Sequence, residues 1–164
     1  MTLKVGDKMP EATFTVMTAD GPKPMTTADL CNGKKVALFA VPGAYTPTCH
    51  KTHMPGFVER AAELKAKGFD TIACTSTNDV FVLTRWAEDT GAAGKIVMLA
   101  DGSADFAKKA GLEMDLTARG MGIRTKRYAM AIENGVVKVL NVEEAPGVDK
   151  SSAETLCSMI DRSL

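Results

Sequence analysis

The sequence of this chain has no long hydrophobic run and no excess of charge of either sign. Nowhere do 18 consecutive apolar residues occur, which excludes a membrane-spanning helix. The 20 lysines and arginines balance the 20 aspartates and glutamates, and no basic run is present. We therefore expect neither nucleic acid nor a membrane as a partner. A charge-balanced surface suits a small neutral substrate better than a polyanion.

The cysteines also lack the patterns of structural sites. The four residues, Cys31, Cys49, Cys74 and Cys157, include no C-x-x-C pair and no zinc-like spacing. We expect no metal and no other cofactor, so any cysteine chemistry must centre on single thiols. The N-terminal segment has no apolar core typical of a secretory signal. We therefore expect a cytoplasmic protein, whose disulfides would be transient rather than structural.

What the sequence does contain is a regular alternation of strand and helix patterns. Short apolar runs predict buried strands, apolar residues at helical spacing predict helices, and Asn134-Gly135 predicts a hairpin turn. This order predicts an α/β fold of one domain over residues 1–164, with a mixed central sheet flanked by helices. The predicted strands are short strands within residues 1–30 and strands at 35–41, 69–76, 95–100, 127–133 and 136–142. The predicted helices are at 47–67 and 151–164, with one that begins at Asn78-Asp79 and carries Phe81, Leu83 and Trp86, and a short one that ends near Gly111. Residues 112–125 are predicted to form an irregular loop.

Residues 41–53, with the sequence VPGAYTPTCHKTH, place a cysteine where a buried strand gives way to a helix. Cys49 falls in the first turn of that helix, where unpaired backbone N–H groups and the helix dipole stabilise an anion such as a thiolate. Thr46 can turn its hydroxyl back towards the sulfur, and Pro42 offers an apolar wall that limits the access of water. Core cysteines usually lie in apolar runs. We therefore interpret Cys49, in its polar and proline-bounded junction, as a nucleophile.

A thiolate of this kind also calls for a cationic partner. Lys51 is close in sequence, but a residue after Cys49 on the helix need not face the sulfur. Arg119, Arg124 and Arg127 lie just before or at the start of a predicted hairpin strand, where a side chain could reach across the sheet. Periodicity alone does not choose among these three arginines.

The spacing Pro42-x-x-x-Thr46-x-x-Cys49 resembles the peroxidatic signature of the peroxiredoxins, in particular the subgroup of peroxiredoxin-five and the plant type II enzymes. The likeness extends over nearly the whole chain, through KKVALFAVPGAYTP, CTSTNDVFVLTRWAED, LADGSADFAKKAGLEMDL and GIRTKRYAMAIENGVVKVLNVE. The resemblance implies a thioredoxin-like fold and a peroxidase that reduces hydrogen peroxide and organic hydroperoxides. It also selects Arg127, so that Pro42, Thr46, Cys49 and Arg127 form the implied active site.

The resemblance implies a cycle in which Cys49 becomes a sulfenic acid that a thiol must then reduce. Cys74 is the internal candidate for that thiol, because similar plant-type members use a cysteine at the matching position. The segment TIACTST is equally typical of a core cysteine, and direct reduction by glutathione, a glutaredoxin or thioredoxin is the alternative. Both routes stay open on the sequence. We interpret Cys31 and Cys157 as packing residues.

The motif around Cys49 allows other hypotheses. A metal site built on Cys49, His50 and His53 lacks an evident fourth ligand, and a protease-like Cys-His pair lacks an orienting partner. A peroxide sensor, redox relay or holdase would use the same nucleophile and is the alternative function. Because the family commonly forms homodimers, we also expect a dimer contact through the Thr46-Pro47 loop and the helix around residues 81–86.

Overall fold

The structure is a computed structural model that describes residues 2–145 and 147–163, and a seven-stranded sheet lies at its centre. The strands are β1 (Thr13–Thr18), β2 (Gly21–Thr26), β3 (Lys35–Ala40), β4 (Thr71–Ser76), β5 (Val97–Ala100), β6 (Glu113–Leu116), β7 (Gly122–Thr125), β8 (Tyr128–Glu133) and β9 (Val136–Val142). The order in the large sheet is β2-β1-β5-β4-β3-β8-β9, and β6 pairs with β7 separately.

In the part of the chain that the structure describes, six α-helices connect and cover these strands. They are α1 (Thr27–Cys31), α2 (Met54–Glu59), α3 (Ala61–Ala66), α4 (Val80–Thr90), α5 (Asp105–Ala110) and α6 (Ala153–Ser163). Helix α2 continues a π-helical segment, Cys49–His53, and a short 3-10 turn, Thr117–Arg119, joins β6 to β7. Among the described residues, no helix is both long enough and apolar enough to cross a membrane.

The three central strands β3, β4 and β5 are parallel, and β8 joins β3 in the antiparallel direction. Apolar clusters cover both faces of this sheet, with Phe39, Phe57 and Trp86 in one cluster and Phe14 and Tyr128 in the other. Strands buried on both faces are typically continuous apolar runs, which explains why β3 and β4 were predictable from sequence. The carboxyl ends of these strands meet at one edge of the sheet, where the chain leaves β3 for Cys49.

Several predicted elements are confirmed. The N-terminal segment forms the antiparallel pair β1–β2 at one edge of the sheet. Asp79 caps α4 by accepting a hydrogen bond from the Val82 N–H. At the predicted hairpin between β8 and β9, Asn134 and Gly135 have φ of 48° and 80°, as the expected tight turn requires.

Other predictions were wrong. Residues 112–125 are not an irregular loop, because they form the β6–β7 hairpin, whose four-residue strands carry too little apolar alternation to signal themselves. The helix predicted over 47–67 breaks at Arg60, where φ and ψ are −98° and 9°. Helix α1 was missed, although Thr26 and Asp29 form a capping box that marks its start.

The last helix begins two residues later than predicted. Ser152 caps it by accepting a hydrogen bond from the Thr155 N–H at 3.1 Å, so Ser151 and Ser152 lie before the first turn. The predicted end of the helix at Leu164 lies outside the described residues. The shift leaves Ser151 free of the helix, in a loop that faces the Cys49 region.

Candidate active site

Cys49 lies where it was predicted, in the first turn of the helix that follows β3. Pro47 and Thr48 begin this helix, and the His50 N–H closes its first turn on the Thr46 carbonyl at 2.9 Å. Proline suits a first helical position because the N–H it lacks would have no partner there. Cys49 is fully buried, with 0% exposure.

The helix is widened at the nucleophile. The Met54 N–H bonds the Cys49 carbonyl, five residues earlier, and this makes Cys49–His53 a π-helical turn. Single π turns inside α-helices occur frequently at functional sites. His53 follows Cys49 by four residues, so the two side chains lie on the same side of the helix, and both are buried.

The structure distinguishes the three arginines that periodicity left open. Arg127 donates from Nη2 to the Cys49 Sγ at 2.8 Å and from Nη1 to the His53 Nδ1 at 2.9 Å. Its position follows from strand register, because Tyr128 pairs with Ala40 at the carboxyl end of β3. Arg127, one residue earlier, is therefore next to the loop that carries Cys49. Arg119 is exposed at the end of the 3-10 turn, and Lys51 is also exposed.

Arg124 has a different task, which the sequence did not indicate. Its Nη1 donates to the Pro42 carbonyl at 3.0 Å, and its Nε donates to the Met121 carbonyl at 2.8 Å. The bond to Pro42 ties the β6–β7 hairpin to the turn before Cys49, and the bond to Met121 holds the Arg124 side chain against its own hairpin. A Cβ at position 43 would lie 3.0 Å from the Arg124 Nη1 and 3.1 Å from the Thr46 Cγ2. Glycine at that position permits the close approach of Arg124.

The predicted hydrogen bond from Thr46 to the sulfur is wrong in this structure. The Thr46 hydroxyl donates to the Gly43 carbonyl at 2.6 Å instead. The turn of residues 43–46 brings that carbonyl within reach, since the Thr46 N–H also approaches it, at 3.4 Å. With its hydrogen directed at Gly43, the hydroxyl oxygen keeps lone pairs that can accept a hydrogen bond from a molecule in the site.

His53 has both ring nitrogens engaged. A guanidinium only donates, so the His53 Nδ1 must be the acceptor from Arg127, and its Nε2 then carries the hydrogen. That Nε2–H donates to the Ser151 carbonyl at 2.8 Å. Burial, and then the charge of Arg127, lowers the pKa of His53 from 6.5 to about 3. His53 is thus neutral near pH 7, in one fixed tautomer.

His50 points away from His53, towards α4. Its Nδ1 accepts a hydrogen bond from the Trp86 Nε1–H at 2.9 Å, and the Tyr45 ring stacks on it with centroids 5.6 Å apart. The Tyr45 hydroxyl donates to Asp89 at 2.6 Å. Because the two histidines turn in different directions, they do not join Cys49 in one ligand set. His53 already uses Nδ1 for Arg127, so it does not form a protease-like pair with Cys49 either.

The other cysteines are buried thiols. Cys74 lies in the middle of β4 opposite Phe39, in the same apolar cluster as Cys49, with 0% exposure. Burial raises its pKa well above the ordinary value, Cys49 adds to the rise, and Arg127 opposes it. Cys31 is also buried, which raises its pKa to about 11. Cys157 lies within α6 and packs in the same apolar cluster as Cys49 and Cys74. Cys49 and Cys74 are both free thiols in this structure.

The predicted dimer surface is only partly exposed. Tyr45 and Phe81 are 45% and 65% exposed, and Pro47 is exposed as well. Trp86 was predicted to belong to this surface, but it is fully buried. Its indole packs in the core and directs its N–H to His50, so the exposed apolar side chain of α4 is Phe81.

Sequence reasoning missed the partners behind Arg127. His53 was considered as a metal ligand or a base, whereas the structure makes it an acceptor for the guanidinium. The position of His53, four residues after Cys49, indicates that the two side chains lie on the same side of the helix. The contact between His53 and Ser151 spans 98 residues, and a contact of that length leaves no local pattern.

Comparisons with known proteins place this geometry in context. A family model described as Redoxin matches residues 4–157. The chain is 49% identical to peroxiredoxin-2E-2, chloroplastic, of Oryza sativa subsp. japonica, over 94% of this chain and 71% of that protein. It is 46% identical to peroxiredoxin-2E, chloroplastic, of Arabidopsis thaliana, over 94% of this chain and 68% of that protein.

Among solved structures, reduced Prx3 of Vibrio vulnificus in complex with hydrogen peroxide is similar, with a TM-score of 0.93 and 47% identity. The match covers 97% of this chain and 99% of that one. The same protein in its oxidized form matches with a TM-score of 0.89 and 48% identity, over 96% and 99% of the two chains. These likenesses confirm the thioredoxin-like α/β fold with a mixed sheet that the sequence resemblance implied.

Proposed function

Since this chain belongs to the redoxin family, as a thiol-dependent peroxidase similar to the plant type II peroxiredoxins, we propose that Cys49 is its peroxide-reactive residue. The observation that carries the proposal is the 2.8 Å contact between the Arg127 Nη2 and the Cys49 Sγ. A guanidinium at hydrogen-bond distance favours the thiolate over the thiol, and the thiolate is the nucleophile. The helix start beneath the sulfur favours the same ionised form.

The reaction follows from this arrangement. The Cys49 thiolate attacks one peroxide oxygen, a sulfur–oxygen bond forms, and the O–O bond breaks. The electron pair leaves on the second oxygen, which takes up a proton and departs as water or an alcohol, while the sulfur becomes a sulfenic acid. Arg127 is suited to stabilise the charge that moves onto the departing oxygen, because its fork can hold sulfur and oxygen together.

Thr46 and Pro42 complete the proposed site. The Thr46 hydroxyl donates to the Gly43 carbonyl, so its oxygen can accept the O–H of the peroxide and orient it for attack. Pro42 forms an apolar wall, and Arg124 holds that wall in place through the Pro42 carbonyl. Arg124 thus keeps the loop in position, whereas Arg127 faces the sulfur.

We propose that an external thiol reduces the sulfenic acid, supplied by glutathione, a glutaredoxin or thioredoxin. Complete burial and a raised pKa make Cys74 a poor nucleophile in the folded state. Intact mass after one equivalent of peroxide and glutathione tests this. A glutathione adduct on Cys49 supports the external route, and a 2 Da loss mapped to a Cys49–Cys74 bond supports the internal one.

We also propose a homodimer and a cytoplasmic location. The exposed apolar rings of Tyr45 and Phe81 near the site favour a contact between two copies. Light scattering of Phe81→Asp should then report a smaller mass than the unaltered protein does. Four free thiols suit a reducing compartment. Imaging a tagged chain in its source cell tests the location.

The central experiment replaces Cys49 with serine. Cys49→Ser should abolish peroxide consumption with excess thiol, because the hydroxyl oxygen is not ionised near neutral pH. Cys157→Ser, which alters a cysteine of the core, is the matched control and should retain turnover. Full activity in Cys49→Ser would eliminate the assignment.

A further inference from the structure

Glu143 follows β9 directly and organises the loop before α6. Its Oε2 accepts three hydrogen bonds, from the Asp149 N–H and the Ser151 N–H at 2.8 Å each and from the Ser151 hydroxyl at 2.6 Å. Burial alone would raise the pKa of this carboxyl, but the bonds from Ser151 and its neighbours lower it overall. The carboxylate is therefore ionised near pH 7 and holds Ser151 at two points.

Ser151 passes this constraint to the active site. It is 0% exposed, and with its N–H and hydroxyl both bound to Glu143 its carbonyl has a fixed place. That carbonyl accepts the Nε2–H of His53 at 2.8 Å. An acceptor at Nε2 selects the tautomer whose Nδ1 lone pair is free to receive Arg127. The opposite tautomer would turn an N–H towards the guanidinium and lose the bond.

The main chain of Glu143 also contacts the main chain of Arg127. The Glu143 N–H donates to the Arg127 carbonyl at 3.0 Å. One residue thus fixes the main chain of Arg127 directly and its side chain through Ser151 and His53. The guanidinium then presents Nη1 to His53 and Nη2 to the Cys49 sulfur. Every link in this series has one defined donor and one defined acceptor.

We propose that Glu143 is a positioning residue for the peroxide reaction, which acts on the Arg127 guanidinium through Ser151 and His53. The proposal rests on the proposed role of Cys49. An arginine side chain has many rotamers. A guanidinium that is already oriented does not have to reorganise as charge moves in the reaction, which lowers the activation free energy. Glu143 touches neither sulfur nor peroxide, so its effect is transmitted entirely by the arginine.

The test compares Glu143→Gln with Glu144→Gln, whose carboxylate is exposed and contacts Lys150 at 3.9 Å. Stopped-flow oxidation by hydrogen peroxide gives the rate constant of attack, and alkylation of Cys49 by iodoacetamide across pH gives its ionisation without any peroxide. Glu143→Gln should slow attack about tenfold, by analogy with the loss of a partner that orients a metal-binding histidine. It should also move the alkylation midpoint to higher pH. Glu144→Gln should change neither quantity.

A double-mutant cycle separates positioning from general destabilisation. His53→Leu removes both ring nitrogens, so adding Glu143→Gln to it should slow attack no further. An undiminished tenfold loss in that background, or unchanged attack and alkylation in Glu143→Gln alone, would overturn the proposal.

Ser151→Ala provides a second route if Glu143→Gln fails to fold. It removes one of the three bonds to Glu143 and keeps the carbonyl that His53 uses, and we expect attack to slow about threefold. An unchanged rate in Ser151→Ala would count against the proposal. Activity that survives in Cys49→Ser would instead defeat the proposed function, so the two failures are distinguishable.

Discussion

The two histidines beside Cys49 lie in contrasting surroundings. His53 is 1% exposed, has both ring nitrogens bonded and supports the arginine at the sulfur. His50 is half-buried, accepts one bond from Trp86 and stacks on the exposed Tyr45. The two residues are separated by three positions on one helix. The His53 side of the nucleophile therefore sets the electrostatics at the sulfur, and the His50 side anchors the start of the helix to α4.

The His53 side faces the carboxyl edge of the sheet, where strand register places Arg127. A substitution at Arg127 or His53 should alter the electrostatic field at the Cys49 sulfur. The His50 side connects the helix start to α4 through Trp86, and through Tyr45 to Asp89. Changes on the His50 side should alter how easily the loop that carries Tyr45 opens. They should affect the rate of attack on peroxide less.

Among changes on the two sides of Cys49, we expect Arg127→Ala to slow peroxide attack the most. The variant removes the donor next to the sulfur, and loss of one such donor costs about 100- to 1000-fold in rate. The rate constant for oxidation by hydrogen peroxide, measured by stopped flow, should fall by that amount. Arg119→Ala is the matched control, because Arg119 is exposed, and it should keep the unaltered rate.

The next effect separates the two histidines directly. His53→Leu should slow peroxide attack about 10- to 100-fold, because Arg127 loses the acceptor that orients it. His50→Leu should slow attack less than about threefold, since it removes one neutral hydrogen bond away from the sulfur. Equal losses in both variants would break the comparison between the two sides.

His53 should also make the stability of the fold depend on pH. Its pKa is lowered from 6.5 to about 3 in the fold, so below pH 6.5 the unfolded chain binds a proton there that the folded chain does not. The resulting stability is complete above pH 6.5 and is lost as pH falls towards 3, at up to about 1.4 kcal/mol per pH unit. Melting temperatures across this window should fall less steeply in His53→Gln than in the unaltered protein.

The smallest effect is expected for Tyr45→Phe, which removes the hydroxyl that donates to Asp89. We expect peroxide attack to be unchanged and reduction of the sulfenic acid by glutathione to rise by up to about threefold, because the loop opens more easily. Single-turnover measurements with preoxidised protein report the second rate. A slower attack on peroxide would show that this side also affects the electrostatics of the sulfur.

The central fold was predictable because its signals are local. The runs that became β3 and β4 are continuous and apolar, and Asn134-Gly135 fixes the hairpin between β8 and β9. The pair β6–β7 gave no such signal. Its strands are short and partly exposed, and Arg124 reaches from it to Pro42, a contact over 82 residues.

The site divides in the same way. Cys49 could be predicted from its place at the start of a helix, which is a property of neighbouring residues. Arg127 could be selected only through family resemblance, because its advantage over Arg124 depends on the pairing of Tyr128 with Ala40. The Thr46 hydroxyl was assigned to the wrong acceptor, since a turn carbonyl lies closer than spacing alone reveals.

Trp86 gives the molecule an optical reporter of its own. The chain contains one tryptophan, and its indole hydrogen bonds directly to the residue that follows Cys49. Emission from this indole should therefore respond when oxidation of the sulfur disturbs the first helical turn, without any added label. The same contact that anchors the loop thus makes each turnover visible in a fluorimeter.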